Sequence, residues 1–402
     1  MSTHSDSMHA PAGLDHCPFM PTYGAPAVRI VRGEGCRLWD EEGKEYLDFL
    51  AGIAVVGLGH SNSEIADAIA EQARTLVHVS NLYGTVPGTD VAVTLDRLLG
   101  GGGQIFFTNS GAEAVECAIK LARRWGGSDR YGVVSAFGSF HGRTLGALHA
   151  TGQPSKWEGF QPLPEGFRHV AWNDLGELEA AIDPTVAAIL LEPIQGEGGV
   201  FPATAEYFEG VRRLCDEHGL LMIVDEIQTG LGRTGEWFGF QHFGVEPDVV
   251  TLAKALGNGM PIGACWAKHE VAAAFQPGDH GTTYGGQPLA AAAARATLAI
   301  MERINAPQLA ERAGAQLRDL LESAPGVIEV RGLGLLLAAQ LSEGLDAKAV
   351  ASDLLARGLI VNAVSPTSLR FAPPLIVSET EITQAIALLT EVLTDHLSKA
   401  PR

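Results

Sequence analysis

At 402 residues, with 46% apolar and 19% charged residues, the chain is long enough for two domains with sizeable cores and has the composition of an ordinary globular protein. A formal net charge of −19 disfavours nucleic acid and anionic membranes as partners, and leaves room for a small anionic substrate held by a few arginines. The five cysteines, Cys17, Cys36, Cys117, Cys215 and Cys265, are scattered and form no C-x-x-C pair, so a reduced cytoplasmic setting is expected rather than a disulfide framework.

Residues 1–18 are polar, lack the apolar core of a secretory signal and are expected to form a flexible leader. No apolar run anywhere reaches the ~18 residues of a membrane helix. Residues 19–62 read as an arm. In it Val28 to Gly35 alternates and then turns, and Leu38 to Asp48 resembles a hairpin bending at Glu42-Gly43. Residues 63–295 alternate helix and strand patterns: a helix over Ser63 to Leu76, a strand over Gln104 to Thr108, a helix over Ala112 to Trp125 and a strand over Tyr131 to Ser135. A strand over Val186 to Leu191, a helix over Tyr207 to Glu217 and two further apolar runs follow, ending at Asp225 and Lys254. Solidly apolar strands between helices predict an α/β domain with a mostly parallel sheet. The segment 287–320 is alanine-rich and helical. Beyond Pro325 the pattern becomes strand, turn, strand and terminal helix, so residues 296–402 are expected to form a smaller α+β domain.

The chemistry concentrates after the strands. Asp225 and Lys254 each close an apolar run, 29 residues apart, and Lys254 precedes the glycine turn Ala255-Leu256-Gly257-Asn258-Gly259. A lysine and an aspartate so placed can hold pyridoxal 5′-phosphate, the lysine through its aldehyde and the aspartate through its ring nitrogen. A surface lysine after a strand is the plain alternative. Ser110 and Glu113 have the spacing of a helix-capping box, and Gly111 would let a phosphate approach the free N–H groups of the helix start. Phe140-His141-Gly142-Arg143 offers a ring to stack on a planar group and a guanidinium for a carboxylate. Glu192 to Gly199, Asp225 to Gly235 and His280 to Gly286 are glycine-rich loops with acids or hydroxyls. In open α/β sheets, ligands sit beyond the carboxyl ends of the strands, where these loops would meet.

The blocks Ser110-Gly111-Ala112-Glu113-Ala114, Phe140-His141-Gly142-Arg143-Thr144, Leu191 to Val200, Asp225 to Gly235, Thr251 to Gly263 and His280 to Pro288 resemble the class III pyridoxal-phosphate aminotransferases of fold type I. The resemblance runs from about Pro21 onward. The runs at Asp225 to Gly235 and Leu252 to Gly259 are closest to the branch acting on acetylornithine. It implies a large domain with a mostly parallel seven-stranded sheet and a smaller α+β domain. It also implies transfer of an amino group from N2-acetyl-L-ornithine to 2-oxoglutarate, a step of arginine biosynthesis, with ornithine, succinylornithine and 4-aminobutyrate as alternative donors. Lys254 would be the catalytic lysine. Ser110, Gly111, Ala112, Phe140, Asp225 and Gln228 would hold the cofactor, with Thr283 contributed from the second subunit of a homodimer. Arg143, Glu197, Arg370 and Tyr23 would meet the substrates: Arg370 the carboxylate beside the reacting carbon of 2-oxoglutarate, Arg143 the far carboxylate, and Glu197 neutralising Arg370 when the donor has no carboxylate there. No metal is expected.

Overall fold

Chain burial explains the central sheet. The strand Val186–Leu191 is buried at all six positions, Leu221–Asp225 at all five and Val249–Leu252 at all four. Strands apolar on both faces need helices on both sides, and the intervening segments supply them. The computed structural model describes residues 19–24 and 26–399; the expected leader, residues 1–18, and Cys17 within it lie outside the described residues. Seven strands, in chain order β1 (Gly103–Thr108), β2 (Gly132–Ala136), β3 (Phe167–Val170), β4 (Val186–Leu191), β5 (Leu221–Asp225), β6 (Val249–Leu252) and β7 (Gly263–Lys268), form one sheet. Their spatial order is β1-β7-β6-β5-β4-β2-β3. Six run parallel; β7 alone is antiparallel to both its neighbours.

The antiparallel strand was not foreseen. Its sequence, Gly-Ala-Cys-Trp-Ala-Lys, has no β-branched residue, although five of its six positions are buried. Only residues 253–262 separate β6 from β7, fewer than the dozen or so that a parallel crossover needs. The direction reversal therefore follows from the short connection through Lys254. The helical tract at 287–320 is two helices, Pro288–Arg303 and Ala306–Glu322, separated at Asn305, whose φ is +50°. Pro307 sits in the first turn of the second helix, where its missing N–H breaks no helical hydrogen bond.

Strands Val327–Leu333, Leu336–Leu341, Ser368–Phe371 and Asn362–Ser365 form an antiparallel four-stranded sheet. The helices Ala306–Glu322 and Ala347–Ala356 contact this sheet, and Glu379–Lys399 packs against both of them. Leu336 and Ala338 of the sheet pack with Ile194 and Val200, bringing the second sheet against the loop after β4. The N-terminal hairpin is Arg37–Asp40 with Glu45–Asp48, preceded by Ile30–Glu34. Its last strand pairs in parallel with Leu359–Ile360, and Phe49 N–H donates to Ile360 O at 2.9 Å. Among the described residues, no helix is long and apolar enough to cross a membrane.

Candidate active site

The carboxyl ends of the parallel strands open into a cavity of about 360 Å³ lined by Ser110, Gly111, Ala112, Phe140, Arg143, Glu197, Asp225, Gln228 and Lys254, among others. Nine of the residues singled out in the sequence thus meet in one place. Arg370 closes the site from the second sheet, through an ion pair with Glu197. Tyr23 and Thr283 do not join them: both are exposed on the single chain, away from this cavity.

The helix after β1, α1 (Gly111–Gly126), starts with its donors open. Ser110 Oγ accepts from Glu113 N–H at 3.2 Å, as the capping spacing requires. Glu113 Oε2 accepts not from Ser110 but from Asn109, at 2.9 Å from its backbone N and 2.8 Å from its side-chain N. The first helical N–H groups, those of Gly111 and Ala112, have no intrahelical acceptor and face the cavity. A Cβ at Gly111 would come within 2.7 Å of Ile227 Cδ1. Any larger residue there would push on the Ile227 side chain, beside the place where a phosphate would be cradled.

Asp225, at the tip of β5, is fixed from both sides. Its Oδ1 accepts from Ile227 N–H at 3.1 Å, and its Oδ2 lies 2.8 Å from His141 Nδ1. A carboxylate only accepts, so His141 carries its proton on Nδ1 toward Asp225. Sequence reasoning gave roles to Phe140 and Arg143 and none to the histidine between them; nothing local signals a partner 84 residues away. Glu192 was read as an acid of a site loop and given no role. It is buried, receives Phe140 N–H at 3.0 Å, and so fixes the backbone that presents the ring. Burial and the nearby Asp225 push its carboxyl well above the ordinary range.

Lys254 lies two residues beyond the end of β6, in the turn Lys254–Gly257, with φ +43°. A left-handed lysine is uncommon and strained, and the turn is held by Asn258, which accepts from Leu58 N–H at 2.8 Å. No hydrogen bond to the Lys254 ammonium is found among the described residues. Burial lowers its pKa to about 8; Glu197 and Asp225 oppose that shift, and Arg370 adds to it. About a tenth of such an amine is neutral at pH 7, against roughly one in a few thousand for an ordinary lysine. This buried amine is primed as a nucleophile toward a carbonyl.

Arg370, 1% exposed, is the central cation. It pairs with Glu197 and donates to Asn362 Oδ1 at 3.1 Å and to Gly196 O at 3.3 Å, while its Nη2 has no partner among the described residues. Burial pushes the Glu197 carboxyl up, but Arg370, by charge and hydrogen bond, outweighs it and holds the group below its ordinary value. Gln228 Nε2 donates to Glu197 Oε1 at 3.2 Å. A Cβ at Gly196 would sit 1.6 Å from Gln228 Oε1, so this glycine makes room for the Gln228 side chain.

The Aminotransferase class-III family model matches residues 20–393. The chain belongs to the class-III aminotransferase family. It is 48% identical over 387 residues to the acetylornithine aminotransferase of Caldanaerobacter subterraneus, covering 94% of this chain and 97% of the relative. It is 49% identical over 385 residues to that of Gloeobacter violaceus, covering 93% and 95%. Among solved structures, N-acetylornithine aminotransferase from Stenotrophomonas maltophilia superposes with a TM-score of 0.81 at 38% identity, covering 92% of this chain and 96% of that one. Ornithine aminotransferase from Toxoplasma gondii superposes with a TM-score of 0.90 at 34% identity, covering 94% and 93%. The α/β fold with its mostly parallel seven-stranded sheet is thus that of the fold type I aminotransferases, and the chain is an enzyme of this class.

Proposed function

We propose that this aminotransferase moves the δ-amino group of N2-acetyl-L-ornithine to 2-oxoglutarate, giving N-acetyl-L-glutamate 5-semialdehyde and L-glutamate, a step of arginine biosynthesis, with pyridoxal 5′-phosphate as cofactor. The pairing of Glu197 with the buried Arg370 beside Lys254 carries this reading. A donor reacting at a terminal amine brings no carboxylate to Arg370, whereas 2-oxoglutarate does, so one site serving both needs a cation that can be covered and uncovered. The names of the relatives above support the same donor.

The residues present fit the cofactor: a glycine-lined helix start for a phosphate, a carboxylate at the end of β5 and an unpartnered amine beyond β6. When bound, pyridoxal phosphate supplies an electron sink for the charge left as the substrate carbon loses its proton. Gly111 and Ala112 would hold the phosphate through their N–H groups, with Ser110 beside them. Phe140 would lie against the ring, Asp225 would pair with the ring nitrogen and Gln228 would face the ring hydroxyl. Lys254 would hold the cofactor through its aldehyde and, once freed, would carry the proton from the reacting carbon and return it. Arg143 holds the far carboxylate, and Tyr23 lies on the substrate side. We further propose a cytoplasmic enzyme in which the arm 19–62 packs with the small domain, and the helix Pro288–Arg303 passes from the large domain toward the small one.

Uptake of pyridoxal phosphate by the apo-protein reports on Lys254. The neutral amine would be the form that reacts with the aldehyde, and its fraction grows as pH rises toward a pKa of about 8. The rate of appearance of the visible absorption is expected to rise about tenfold per pH unit below that value and to level off above it. A rate still climbing tenfold per unit from pH 9 to 10 would show an ordinary lysine instead. The donor is tested by mixing the loaded enzyme with acetylornithine, ornithine, succinylornithine and 4-aminobutyrate in single turnovers. Fastest loss of the absorption with acetylornithine, restored by 2-oxoglutarate, is the expected result; a faster response to another donor overturns the assignment.

Thr283 is proposed to reach the phosphate of the partner's site in a homodimer. Support comes from an exposed apolar patch beside it, comprising Val77, Leu82, Tyr83, Val86 and Tyr284. Asn81 ties this segment to the Thr283 loop by donating to Thr282 O at 3.2 Å and Gly285 O at 3.3 Å. Such a patch on a single chain marks an interaction surface. Tyr83→Asp is expected to shift sedimentation from dimer to monomer and to weaken cofactor retention about tenfold. A monomeric parent enzyme with full activity would refute the shared site.

A further inference from the structure

Two cations flank the Phe140 ring, and the reaction as described employs only one. The Arg143 guanidinium carbon is 5.6 Å from the ring centroid and Lys156 Nζ is 6.0 Å from it. Lys156 ends the short turn Pro154–Lys156, which is tethered to the Phe140 loop: Gln153 Nε2 donates to Ser139 O at 3.0 Å, and Lys156 Nζ donates to Gln153 Oε1. The lysine is thereby held half-buried within 6.0 Å of the ring of Phe140, a residue that lines the cavity. Among the described residues, neither Arg143 nor Lys156 forms an ion pair. Glu197, the carboxylate whose field reaches Lys156, is already engaged by Arg370. Burial and the like charge of Arg143 both disfavour the Lys156 ammonium, so the two cations repel each other across a partly desolvated space. An anion between them would relieve that repulsion and gain charge-assisted hydrogen bonds.

Both substrates under the transaminase reading supply such an anion: each carries a carboxylate remote from its reacting carbon. We propose that Lys156 is a second substrate-binding residue, sharing that far carboxylate with Arg143 and thereby selecting donors that possess one. The assignment rests on the transaminase reading. It goes beyond it by giving the site two cations for one carboxylate and by specifying what donor is refused: an amine of the same length without the carboxylate.

The test compares the parent holoenzyme with Lys156→Met and Lys156→Arg, using N2-acetyl-L-ornithine and its decarboxylated analogue N-acetyl-1,4-diaminobutane as donors and glutarate as an unreactive dicarboxylate. Transamination by the parent enzyme decides the transaminase reading on its own, before any variant is compared. In Lys156→Met, KM for acetylornithine and Kd for glutarate are expected to rise about tenfold with kcat within about twofold, while kcat/KM for the decarboxylated donor stays unchanged. Lys156→Arg, which keeps the charge, is expected to restore KM to within about threefold of the parent. Unchanged KM and glutarate affinity in Lys156→Met would overturn the proposal. So would an equal loss on both donors, which marks a merely structural lysine, or an arginine variant no better than methionine.

Discussion

Lys254→Ala is expected to lower turnover by at least about a thousandfold and to remove the absorption of the covalently held cofactor, while the protein still folds. The size of the effect follows from the two roles proposed for the amine, holding the aldehyde carbon and moving the substrate proton, with no other amine among the described residues that line the cavity. Folding is protected because Lys254 is a burden on the apo-protein, not a support. Its pKa falls from 10.5 to about 8 through burial. A depressed pKa in a base means that its stabilising contribution is present above the unfolded value and is lost as pH falls through the folded one. Below pH 8 the parent apo-protein therefore carries an ammonium that the fold disfavours, and alanine removes it. The Tm of the variant relative to the parent is expected to be highest near pH 7 and to decline as pH is raised toward 10. Scanning calorimetry of both apo-proteins checks the sign. Turnover above about a hundredth of the parent's would mean that another group acts as the base.

How much of this was legible in the chain depended on distance along it. Asp225 and Lys254 stood out because each follows an unbroken apolar run, and the structure places them at the ends of β5 and just beyond β6. Ser110 and Glu113 were legible as a cap because capping is local, although the carboxylate chose Asn109 over the residue expected. The contacts that shape the site are long-range: His141 with Asp225, Glu192 with the Phe140 backbone, and Arg370 with Glu197, 173 residues apart. No spacing rule marks such pairs. The last was anticipated only through the family resemblance. β7 was missed because alanine, glycine and cysteine carry little strand preference, and its burial comes from its neighbours: Trp266 fills the space where a Cβ on Gly103 would lie, 2.2 Å away. Tyr23 and Thr283 stay on the surface of the single chain, so neither their sequence context nor this fold alone assigns them.

The second large effect is expected to be asymmetric. Arg370→Ala should slow the glutamate–2-oxoglutarate half-reaction by about a hundredfold to a thousandfold, and the acetylornithine half-reaction by no more than about tenfold. Arg370 is held by Asn362 and Gly196 O, so the guanidinium stays in place whether or not Glu197 covers it. Its one unpartnered nitrogen is the donor left for an incoming carboxylate. In the proposed switch, a carboxylate of 2-oxoglutarate displaces Glu197 and forms the buried pair; losing the arginine would then leave a desolvated carboxylate without its cation, at a cost of about 3–4 kcal/mol. With acetylornithine, the Glu197–Arg370 pair remains closed and touches only the uncharged part of the donor, so its removal matters less. What remains is Glu197 itself. Without Arg370, burial is opposed by weaker partners, and its carboxyl is expected to protonate at higher pH, giving the residual donor half-reaction a pH dependence that the parent lacks. Glu197→Gln makes the complementary case. It leaves Arg370 uncovered, and the variant should gain preference for glutamate over acetylornithine in single turnovers. Equal losses in both halves for Arg370→Ala, or an unchanged preference in Glu197→Gln, would show that the pair is a structural ion pair and that the two substrates are sorted elsewhere in the cavity.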